Sequence, residues 1–520
     1  MIPRLLAQCH LFTIALTLAI LAPATFANDA HSAMEMANRY LKMGMYLEAI
    51  GAYRDVTDQS TDYDMQAKAL VRIGDIYGYF LNNYNDALEH YSFVVQRYSK
   101  SLHAANAFFN IGMILYEKNK YGNACAWFQE YLKRFPRGTR RQTAEFMVES
   151  CMTPPPAASE RKPDTALRIR PDETIRVLTH ENLTRVQIMS DSSYDITEPE
   201  KQHTIVRIQG SRRMVVEFRE GHMWLNGAPL RYDRIVVTTP EATPIAVNEK
   251  TYRGEVSLRE TPHGITVVNT LGLEEYLYGV LPKEMSPRWP LEALKAQAVA
   301  ARTYALYQKE KGKDKGYDVY ASTYSQVYEG YRVESEMTTR AVNETRGQVI
   351  LHGGRLILAY FHSNSGGVTE DAQHVWTADV PYLRGVRDDF STKGSNYQWT
   401  HHLDMETIRT SLGSCGVSVG SLYGVAPVKV SPSGRVQTMQ IIHSRGEMTM
   451  SGNQFRLKID PKLIKSTLFE LQRDASGISI RGRGYGHGVG MSQWGAYHMA
   501  KGGHPYTEIL KYYYSDVEVR

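Results

Sequence analysis

Three stretches of the sequence place polar side chains beside residues that constrain the backbone. In LPKEMSPRWP (281–290), one carboxylate, that of Glu284, is surrounded by three prolines and by large apolar residues. In YFHSNSGG (360–367), a β-like run ends in histidine, serine and asparagine before two glycines. In GRGYGHGVGMSQWGA (482–496), five glycines alternate with arginine, tyrosine, histidine and valine. An acid with imidazole and hydroxyl groups could perform acid–base chemistry, so these stretches are the candidate site. Close-packed turns are the structural alternative.

The spacing of these residues argues against two common kinds of site. Alternating glycines allow close approach of a ligand or of another chain segment. Their spacing matches neither GxGxxG nor a P-loop, so nucleotide binding is not expected. His362, followed by Ser363 and Ser365, lacks the GxSxG elbow and a placed acid, which argues against a serine hydrolase.

Periodicity predicts the elements that must position these stretches. Residues 291–311 read as a helix with a proline at its first turn and a glycine at its end, and an apolar stripe predicts one packed side. Residues 254–270 predict a hairpin that turns at 261–264, and residues 347–361 predict a second hairpin. Shorter β-like runs lie upstream. We therefore expect an α+β region rich in antiparallel strands with one long helix.

The N-terminal region is repetitive. YLEAIGAY (46–53), YNDALEHY (84–91) and YGNACAWF (121–128) share Tyr-x-x-Ala-x-x-x-aromatic at spacings of 38 and 37 residues. This pattern resembles tetratricopeptide repeats and predicts an all-α solenoid over residues 30–152, ending in a closing helix. An Ile-Gly pair before the second and third copies is expected to let paired helices approach, with the aromatic side chains filling the gap. Such arrays usually bind a protein or peptide; a plain spacer is the alternative.

The remaining boundaries follow from composition. Residues 153–167 are a proline-rich linker, followed by a β-rich part at 168–253 and a C-terminal part at 254–520. Residues 1–27 predict a cleaved signal peptide, with an uncleaved anchor as the alternative. No later membrane span is expected, so the protein should be exported to a periplasm or cell wall. The net charge of +5 over 520 residues, without basic runs, does not predict nucleic-acid binding.

Three cysteines follow the predicted signal peptide. Cys125 and Cys151 could pair in an oxidising compartment or remain as two buried thiols, and the sequence leaves both open. Cys415 is expected to be buried. The Cys and His spacings do not indicate zinc, so neither a metal nor a cofactor is expected.

The three polar stretches together resemble the SpoIID/LytB family, the stage II sporulation protein D and amidase-enhancer group. The resemblance covers roughly residues 254–520, and its first motif extends over NTLGLEEYLYGVLPKEMSPRWPLEALKAQAVAARTYAL. It implies a peptidoglycan-directed protein. Sporulation members are lytic transglycosylases that cut between N-acetylmuramic acid and N-acetylglucosamine in strands without stem peptides, leaving 1,6-anhydro ends. Amidase-enhancer members are described as stimulating a partner amidase.

The resemblance also implies roles for individual residues. It makes Glu284 of the PKEM motif the catalytic acid, and it places Arg302 where it orients the acid, binds substrate or forms a structural salt bridge. Trp494 fits sugar stacking and a core position equally well. Zinc ligands of some sporulation members are absent from residues 316–331. The residues expected to line the substrate groove are His362, Ser363, Ser365, Tyr485, His487, Ser492 and Gln493.

Glu284 suits the reaction that the family implies. One acid protonates the glycosidic oxygen and then takes the proton of the sugar's own 6-hydroxyl. Met285 and Trp289 would raise its pKa by excluding water, whereas the N-terminal dipole of the helix at 291–311 would lower it, and the sequence leaves that balance open. The prolines are expected to hold residues 281–290 as an extended turn. The leading hypothesis is a transglycosylase whose repeats recruit a partner. The second is a non-catalytic glycan-binding enhancer of a cell-wall amidase.

Overall fold

The chain forms two compact units. The computed structural model describes residues 22–152 and 170–520, except residues 44, 82, 119, 137, 171, 201–202, 241, 313–315, 377–378, 416, 418 and 475–476. Residues 22–152 belong to one unit, and residues 170–375 and 379–520 form the other. The predicted linker and residues 1–21 of the predicted signal peptide lie outside the described residues. Residues 22–27 begin the first helix. Within the described part, no helix is long and apolar enough to cross a membrane.

The N-terminal unit is an all-α array, as the repeats predict. The repeated motifs begin the second, fourth and sixth helices, so each motif marks the same place in successive helix pairs. A π-helical turn, Ile76–Phe80, extends the third helix. The helices are α1 (Ala22–Lys42), α2 (Tyr46–Gln59), α3 (Tyr63–Asp75), α4 (Tyr84–Arg97), α5 (Ala104–Glu117), α6 (Tyr121–Arg134) and α7 (Arg141–Met152).

Glycines allow the paired helices of this unit to approach closely. A Cβ atom at Gly74 of α3 would lie 2.6 Å from a ring carbon of Tyr91 in α4. A Cβ atom at Gly112 of α5 would lie 2.8 Å from a ring carbon of Phe128 in α6. Both rings belong to the repeated motif and are fully buried. The predicted role of the glycines and the aromatic side chains is confirmed.

The second unit begins with two β-sheets. One has the strand order β13-β1-β12-β11-β8-β3-β4 and the other β10-β9-β2-β5-β6-β7. The hairpin predicted at 254–270 is confirmed, with Thr261 opposite Gly264. The strands are β1 (Thr174–Leu183), β2 (Arg185–Ser190), β3 (Tyr194–Glu198), β4 (His203–Ile208), β5 (Met214–Arg219), β6 (His222–Leu225), β7 (Ala228–Pro229), β8 (Arg234–Thr238), β9 (Ile245–Val247), β10 (Lys250–Tyr252), β11 (Glu255–Thr261), β12 (Gly264–Gly272) and β13 (Val319–Tyr320).

Two consecutive helices, α8 (Leu273–Glu284) and α9 (Leu291–Lys311), follow β12. The bounds of α9 are those predicted, but the expectation of one packed side is wrong because nearly every residue from 293 to 308 is buried. The expectation of an extended turn is also wrong, since Pro282 lies inside α8. Buried Leu273, Tyr276, Leu277, Val280 and Leu281 recur at helical spacing and stabilise α8 by packing. Near the end of the helix the proline removes one hydrogen bond without breaking the turns before it.

Smaller elements complete the unit. The hairpin predicted at 347–361 is confirmed as β14–β15, although its strands are short. The sheets β17-β22-β21 and β18-β19-β20 share one apolar core. The elements are α10 (Glu336–Glu344), β14 (Ile350–His352), β15 (Arg355–Leu356), β16 (Phe361–His362), α11 (Ala372–Trp376), β17 (Gln398–Leu403), α12 (Met405–Ser414), β18 (Leu422–Val430), β19 (Val436–His443), β20 (Gly446–Ser451), α13 (Gly452–Ile459), β21 (Phe469–Arg473), β22 (Ile478–Arg483), β23 (Met491–Ser492), α14 (Gln493–Lys501), α15 (Tyr506–Tyr513) and β24 (Glu518–Val519), with 3-10 turns at Tyr331–Val333 and Asp389–Lys393.

The three cysteines among the described residues are free thiols. Cys151 is buried, Cys125 is half-buried and Cys415 is exposed. The prediction that Cys415 is buried is therefore wrong. Cys415 caps the C-terminus of α12, and its thiol lies 3.6 Å from the carbonyl oxygen of Lys458 at the protein surface.

A buried ion pair joins α8 to α9. The fully buried guanidinium of Arg302 donates to both carboxylate oxygens of Glu274, at 2.9 and 2.6 Å. It also donates to the carbonyl oxygens of Val342 in α10 and Gln348, at 3.2 and 3.1 Å. Two parallel hydrogen bonds fix orientation as well as distance. The pair therefore holds α8, and Glu284 at its end, against the two neighbouring helices.

Replacing Glu274 by Ala is expected to lower the free energy of unfolding by about 3–5 kcal/mol, because it leaves the Arg302 charge buried without its partner. Urea denaturation measures the change. Glu310→Ala, at an exposed position of the same α9, is the control and should change the free energy by less than about 0.5 kcal/mol. Equal effects of the two substitutions would show that the ion pair does not hold the helices.

Candidate functional site

The three polar stretches meet in the second unit. β16 of the second stretch pairs in parallel with β23 of the third, and backbone hydrogen bonds of 3.1 and 2.8 Å join Asn364 to Tyr485. Gln493, directly after β23, donates a side-chain hydrogen bond to Glu284 of the first stretch. The rings of Trp289 and Trp494 lie 4.8 Å apart. The candidate site is therefore assembled from segments that are far apart in sequence.

Glu284 is the C-terminal residue of α8 and is half-buried. One carboxylate oxygen accepts the backbone N–H of Val327 at 3.2 Å, and Gln493 donates the second hydrogen bond. Burial raises the pKa of Glu284, and these two hydrogen bonds offset only part of that rise. The balance left open by the sequence therefore favours the protonated acid. The negative end of the α8 dipole favours the same form.

The hydrogen-bond partners described for Glu284 are uncharged. Met285 is buried directly after it. Tyr276 is fully buried and donates to the side-chain oxygen of Gln326 at 3.0 Å. Burial, and to a smaller extent nearby groups that include Glu284, raises the pKa of Tyr276. The side-chain amide of Gln493 also contacts that of buried Gln297, at 3.4 Å. No described Lys or Arg forms a salt bridge with Glu284. The acid is thus held by amides and not by a compensating charge.

The aromatic side chains near the acid pack on one another. Trp289 contacts Trp494 and Tyr497, with ring centroids at 4.8 and 5.0 Å. Trp494 is half-buried, so it combines a packed face with partial access to solvent. This placement is compatible with both roles predicted for Trp494.

Two histidines face each other across the second and third stretches, with ring centroids 5.6 Å apart. Nδ1 of buried His362 donates to the carbonyl oxygen of Val489 at 3.0 Å, so Nε2 is the acceptor, and Nε2 has no described partner. Burial, His487 and Arg435 hold the pKa of His362 well below its usual range. Burial, Arg456 and Arg435 lower the pKa of half-buried His487 to about 3. Both imidazoles are therefore neutral at pH 7.

The two predicted serines Ser365 and Ser492 are fully buried, whereas Ser363 is half-buried. The hydroxyl of Ser492 accepts the Gly495 N–H at 3.2 Å and caps α14. The hydroxyl of Ser365 donates to Asp388 at 2.7 Å. Both hydroxyls hold the backbone of the site together.

Asp388 is a residue that the sequence analysis did not identify. It is fully buried, and it accepts hydrogen bonds from Ser365, from Tyr513 at 2.9 Å and from Ser492. Burial raises its pKa, whereas these hydrogen bonds lower it. Asp388 thus joins the second stretch, the third stretch and α15. Its 3-10 turn carries no motif that would mark it.

Arg302 lies within the ion pair between α8 and α9, and its hydrogen bonds go to Glu274 and to backbone carbonyls. None of them goes to Glu284. These contacts correspond to a structural salt bridge, one of the three roles considered for Arg302.

The alternating glycines bring the third stretch against the second. Gly486 has φ +113°, and a Cβ atom there would lie 2.8 Å from the Cβ of His362. Gly490 has φ +71°, and a Cβ atom there would collide with the carbonyl oxygen of Tyr360. These positions require glycine. Tyr485 and His487, between glycines, are half-buried and partly exposed to solvent. The described residues contain no cluster of three or more His, Cys, Asp or Glu placed to hold a metal ion.

Comparison with known proteins identifies similar sequences over most of the chain. Residues 261–352 match the family described as stage II sporulation protein, residues 383–490 a domain of unknown function, and residues 79–139 the tetratricopeptide repeat. Stage II sporulation protein D of Bacillus subtilis is 31% identical over 317 residues, which cover 56% of this chain and 89% of that protein. An uncharacterized protein of Brachyspira hyodysenteriae is 34% identical over 357 residues, covering 66% and 95%. The amidase enhancer of B. subtilis is 32% identical over 290 residues, covering 46% and 39%.

Replacing Glu284 by Gln is expected to raise the melting temperature near pH 7. A carboxyl group whose pKa is raised on folding contributes stability below its unfolded pKa of 4.5 and loses it as the pH rises through the folded pKa. Glutamine does not ionise, so the difference in melting temperature between the variant and the wild type should shrink as the pH falls below 4.5.

Thermal unfolding of both proteins over a pH series measures this difference, and other titrating groups cancel because they are common to both. Glu310→Gln on the surface of α9 is the control and should give no pH-dependent difference. A Glu284→Gln variant that gains no stability at pH 7 would contradict the raised pKa.

Proposed function

The chain belongs to the stage II sporulation protein D family, and from this premise we propose that it is a lytic transglycosylase of peptidoglycan. The proposed reaction cuts the bond between N-acetylmuramic acid and N-acetylglucosamine in glycan strands without stem peptides. The single observation that carries the proposal is the position of Glu284, a carboxyl group held by the Val327 N–H and by Gln493 where the three polar stretches meet, and burial there raises its pKa. A protonated acid near neutral pH is what cleavage of a glycosidic bond requires.

In the proposed mechanism, neutral Glu284 donates its proton to the glycosidic oxygen, and the bond from that oxygen to C1 of the muramic residue breaks. The resulting carboxylate takes the proton from the 6-hydroxyl of the same sugar, whose oxygen then bonds to C1 and closes the 1,6-anhydro ring. Glu284 ends protonated, as it began, and no water is consumed. The mechanism needs no second carboxylate, unlike hydrolysis by an acid pair.

The uncharged neighbours of Glu284 support both steps. The N–H of Val327 and the amide of Gln493 stabilise the carboxylate formed after the first proton transfer. A lysine or arginine in their place would hold the carboxylate ionised and prevent it from acting as an acid. The half-buried side chains of Ser363, Tyr485 and His487 are the proposed substrate contacts.

A second candidate function is supported by the similarity to the amidase enhancer. In that case, the chain binds glycan and stimulates a cell-wall amidase without cleaving the strand itself. The hydrogen bonds of Asp388 and the close contacts at the glycines would support a binding groove equally well. The two functions differ in whether Glu284 transfers a proton.

Digestion of amidase-treated glycan strands by the full chain tests the proposed activity. The products are expected to carry 1,6-anhydro ends, detected by mass, and Glu284→Gln should lower the rate by about 100-fold or more because it removes the proton donor. Glu310→Gln is the matched control and should retain the wild-type rate. Strand binding without any anhydro ends would favour the enhancer function.

We further propose that the protein is exported to a periplasm or cell wall, where its substrate lies, and that the helical repeats recruit a cell-wall amidase or another envelope protein. The match to the tetratricopeptide repeat supports a protein-binding role. Exposed apolar side chains on this unit include Tyr63, Phe93 and Leu102. These groups are available for a partner.

Deletion of residues 30–152 is expected to leave cleavage of soluble strands within about twofold, because the contacts described for Glu284 lie in the second unit. Capture of a partner or localisation should be lost. Assays of the deletion variant on soluble strands and of its position in the cell measure the two effects. A loss of cleavage with the second unit still folded would show that the repeats form part of the groove.

A further inference from the structure

A second candidate site lies on the sheet that contains β1, β8, β11 and β12. It is a cleft of about 400 Å³, and none of its lining residues belongs to the three polar stretches. Ser257, Thr266 and Thr270 line it with hydroxyl groups, and Tyr317 contributes a half-buried ring. The cleft therefore combines hydroxyl and charged groups with apolar surface, has sugar-sized dimensions and offers one flat aromatic face.

Two arginines of this cleft lie opposite each other on neighbouring strands. Arg234 of β8 is the register partner of Arg259 of β11, and both side chains are exposed. Like charges directly opposite in an antiparallel pair are destabilising. Within the described part of the chain, neither guanidinium forms a salt bridge or hydrogen bond. Arg176, by contrast, is neutralised by Asp318 through hydrogen bonds of 3.2 and 2.7 Å.

The acidic groups of the cleft do not remove this charge. Glu260 accepts the backbone N–H of Met223 at 2.9 Å and lies 3.2 Å from the ring nitrogen of His222. Glu181 is exposed and forms no salt bridge with either arginine among the described residues. The arginine pair thus remains available to an anionic ligand.

We propose that this cleft binds a carboxylate-bearing saccharide of a glycan strand, with Arg234 and Arg259 holding the carboxylate. Planar guanidinium groups match carboxylate geometry, the hydroxyl groups of Thr266 and Thr270 match sugar hydroxyls, and the Tyr317 ring matches a sugar face. The choice of saccharide rests on the proposed function, because N-acetylmuramic acid freed of its stem peptide carries a carboxylate. The cleft is then a second attachment point for the strand that Glu284 cleaves.

Binding is tested with the full chain carrying Glu284→Gln, so that strands stay intact during the measurement. The probe is a fluorescently labelled, amidase-treated glycan strand. Replacing both Arg234 and Arg259 by Gln is expected to raise its dissociation constant about 10- to 100-fold, since charge-assisted hydrogen bonds are lost. Arg213→Gln, an exposed arginine outside the cleft, is the control and should leave the dissociation constant unchanged. Unchanged binding by the double variant overturns the proposal.

Two further measurements identify what the arginines recognise. Strands whose carboxylates are reduced to alcohols should bind the arginine-containing chain as weakly as native strands bind the double variant. Equal binding of reduced and native strands overturns the proposal. If a peptide with a free C-terminal carboxylate binds more tightly than the glycan strand, and its binding depends on the arginines, the ligand of the cleft is a peptide and the saccharide proposal is overturned.

The double variant should unfold at the same or a higher temperature than its parent, because the substitutions remove a repulsion between like charges. A lower melting temperature would show that the arginines stabilise the sheet and would overturn a ligand role for them.

Cleavage by the chain with intact Glu284 separates this proposal from the proposed function. If binding depends on the arginines and no anhydro ends form, the proposed transglycosylase activity is overturned and saccharide binding by the cleft is supported. If anhydro ends form and binding does not depend on the arginines, the activity is supported and saccharide binding by the cleft is overturned.

Discussion

The buried pair of Arg302 and Glu274 is the contact on which the position of Glu284 depends. α8 has twelve residues and a proline in its last turn, so it is too short to be stable by itself. Packing of its apolar face and the ion pair hold it against α9 and α10. Since Arg302 also donates to two carbonyl oxygens, its five N–H groups are largely satisfied inside the protein. The acid is thereby placed on a fixed helix end and not on a loop.

The candidate site combines this fixed acid with hydrogen-bond partners that carry no charge. Amide groups contact Glu284. The imidazoles of His362 and His487 are neutral chiefly because burial lowers their pKa, and nearby Arg435 lowers both further. A buried carboxyl group in such surroundings keeps its proton at a higher pH than an exposed one. The pKa of Glu284 is therefore raised by burial, and its hydrogen bonds lower that pKa by a smaller amount.

Local signals in the sequence were sufficient for much of the fold. The bounds of α9, the hairpin of β11 and β12 and the glycine–aromatic contacts of the repeats all follow from residues close together in the chain. α8 does not follow from the sequence in the same way, because the three prolines of residues 281–290 argue against a helix, whereas Leu273, Tyr276 and Leu277 recur at helical spacing. Cys415 was assigned to the core from its residue type alone, although its position at the end of α12 leaves it exposed.

The parts of the site that depend on distant residues could not be read in the same way. Asp388 hydrogen-bonds Ser365, 23 residues away, and Tyr513, 125 residues away, and no periodicity links these positions. The Val327 N–H that donates to Glu284 is a backbone group, so the residue type at this position does not indicate the contact. The three stretches themselves could be identified because each combines polar groups with glycine or proline, but their mutual contacts required the fold.

The glycine-rich third stretch also constrains how this protein can diverge. Side chains are excluded at Gly486 and Gly490 by neighbouring backbone and side-chain atoms, so sequence drift in this loop is confined to the positions between the glycines. Those are the positions that carry Tyr485 and His487. The loop is consequently a fixed backbone with a few exchangeable side chains, on which ligand preference can evolve without a change of fold.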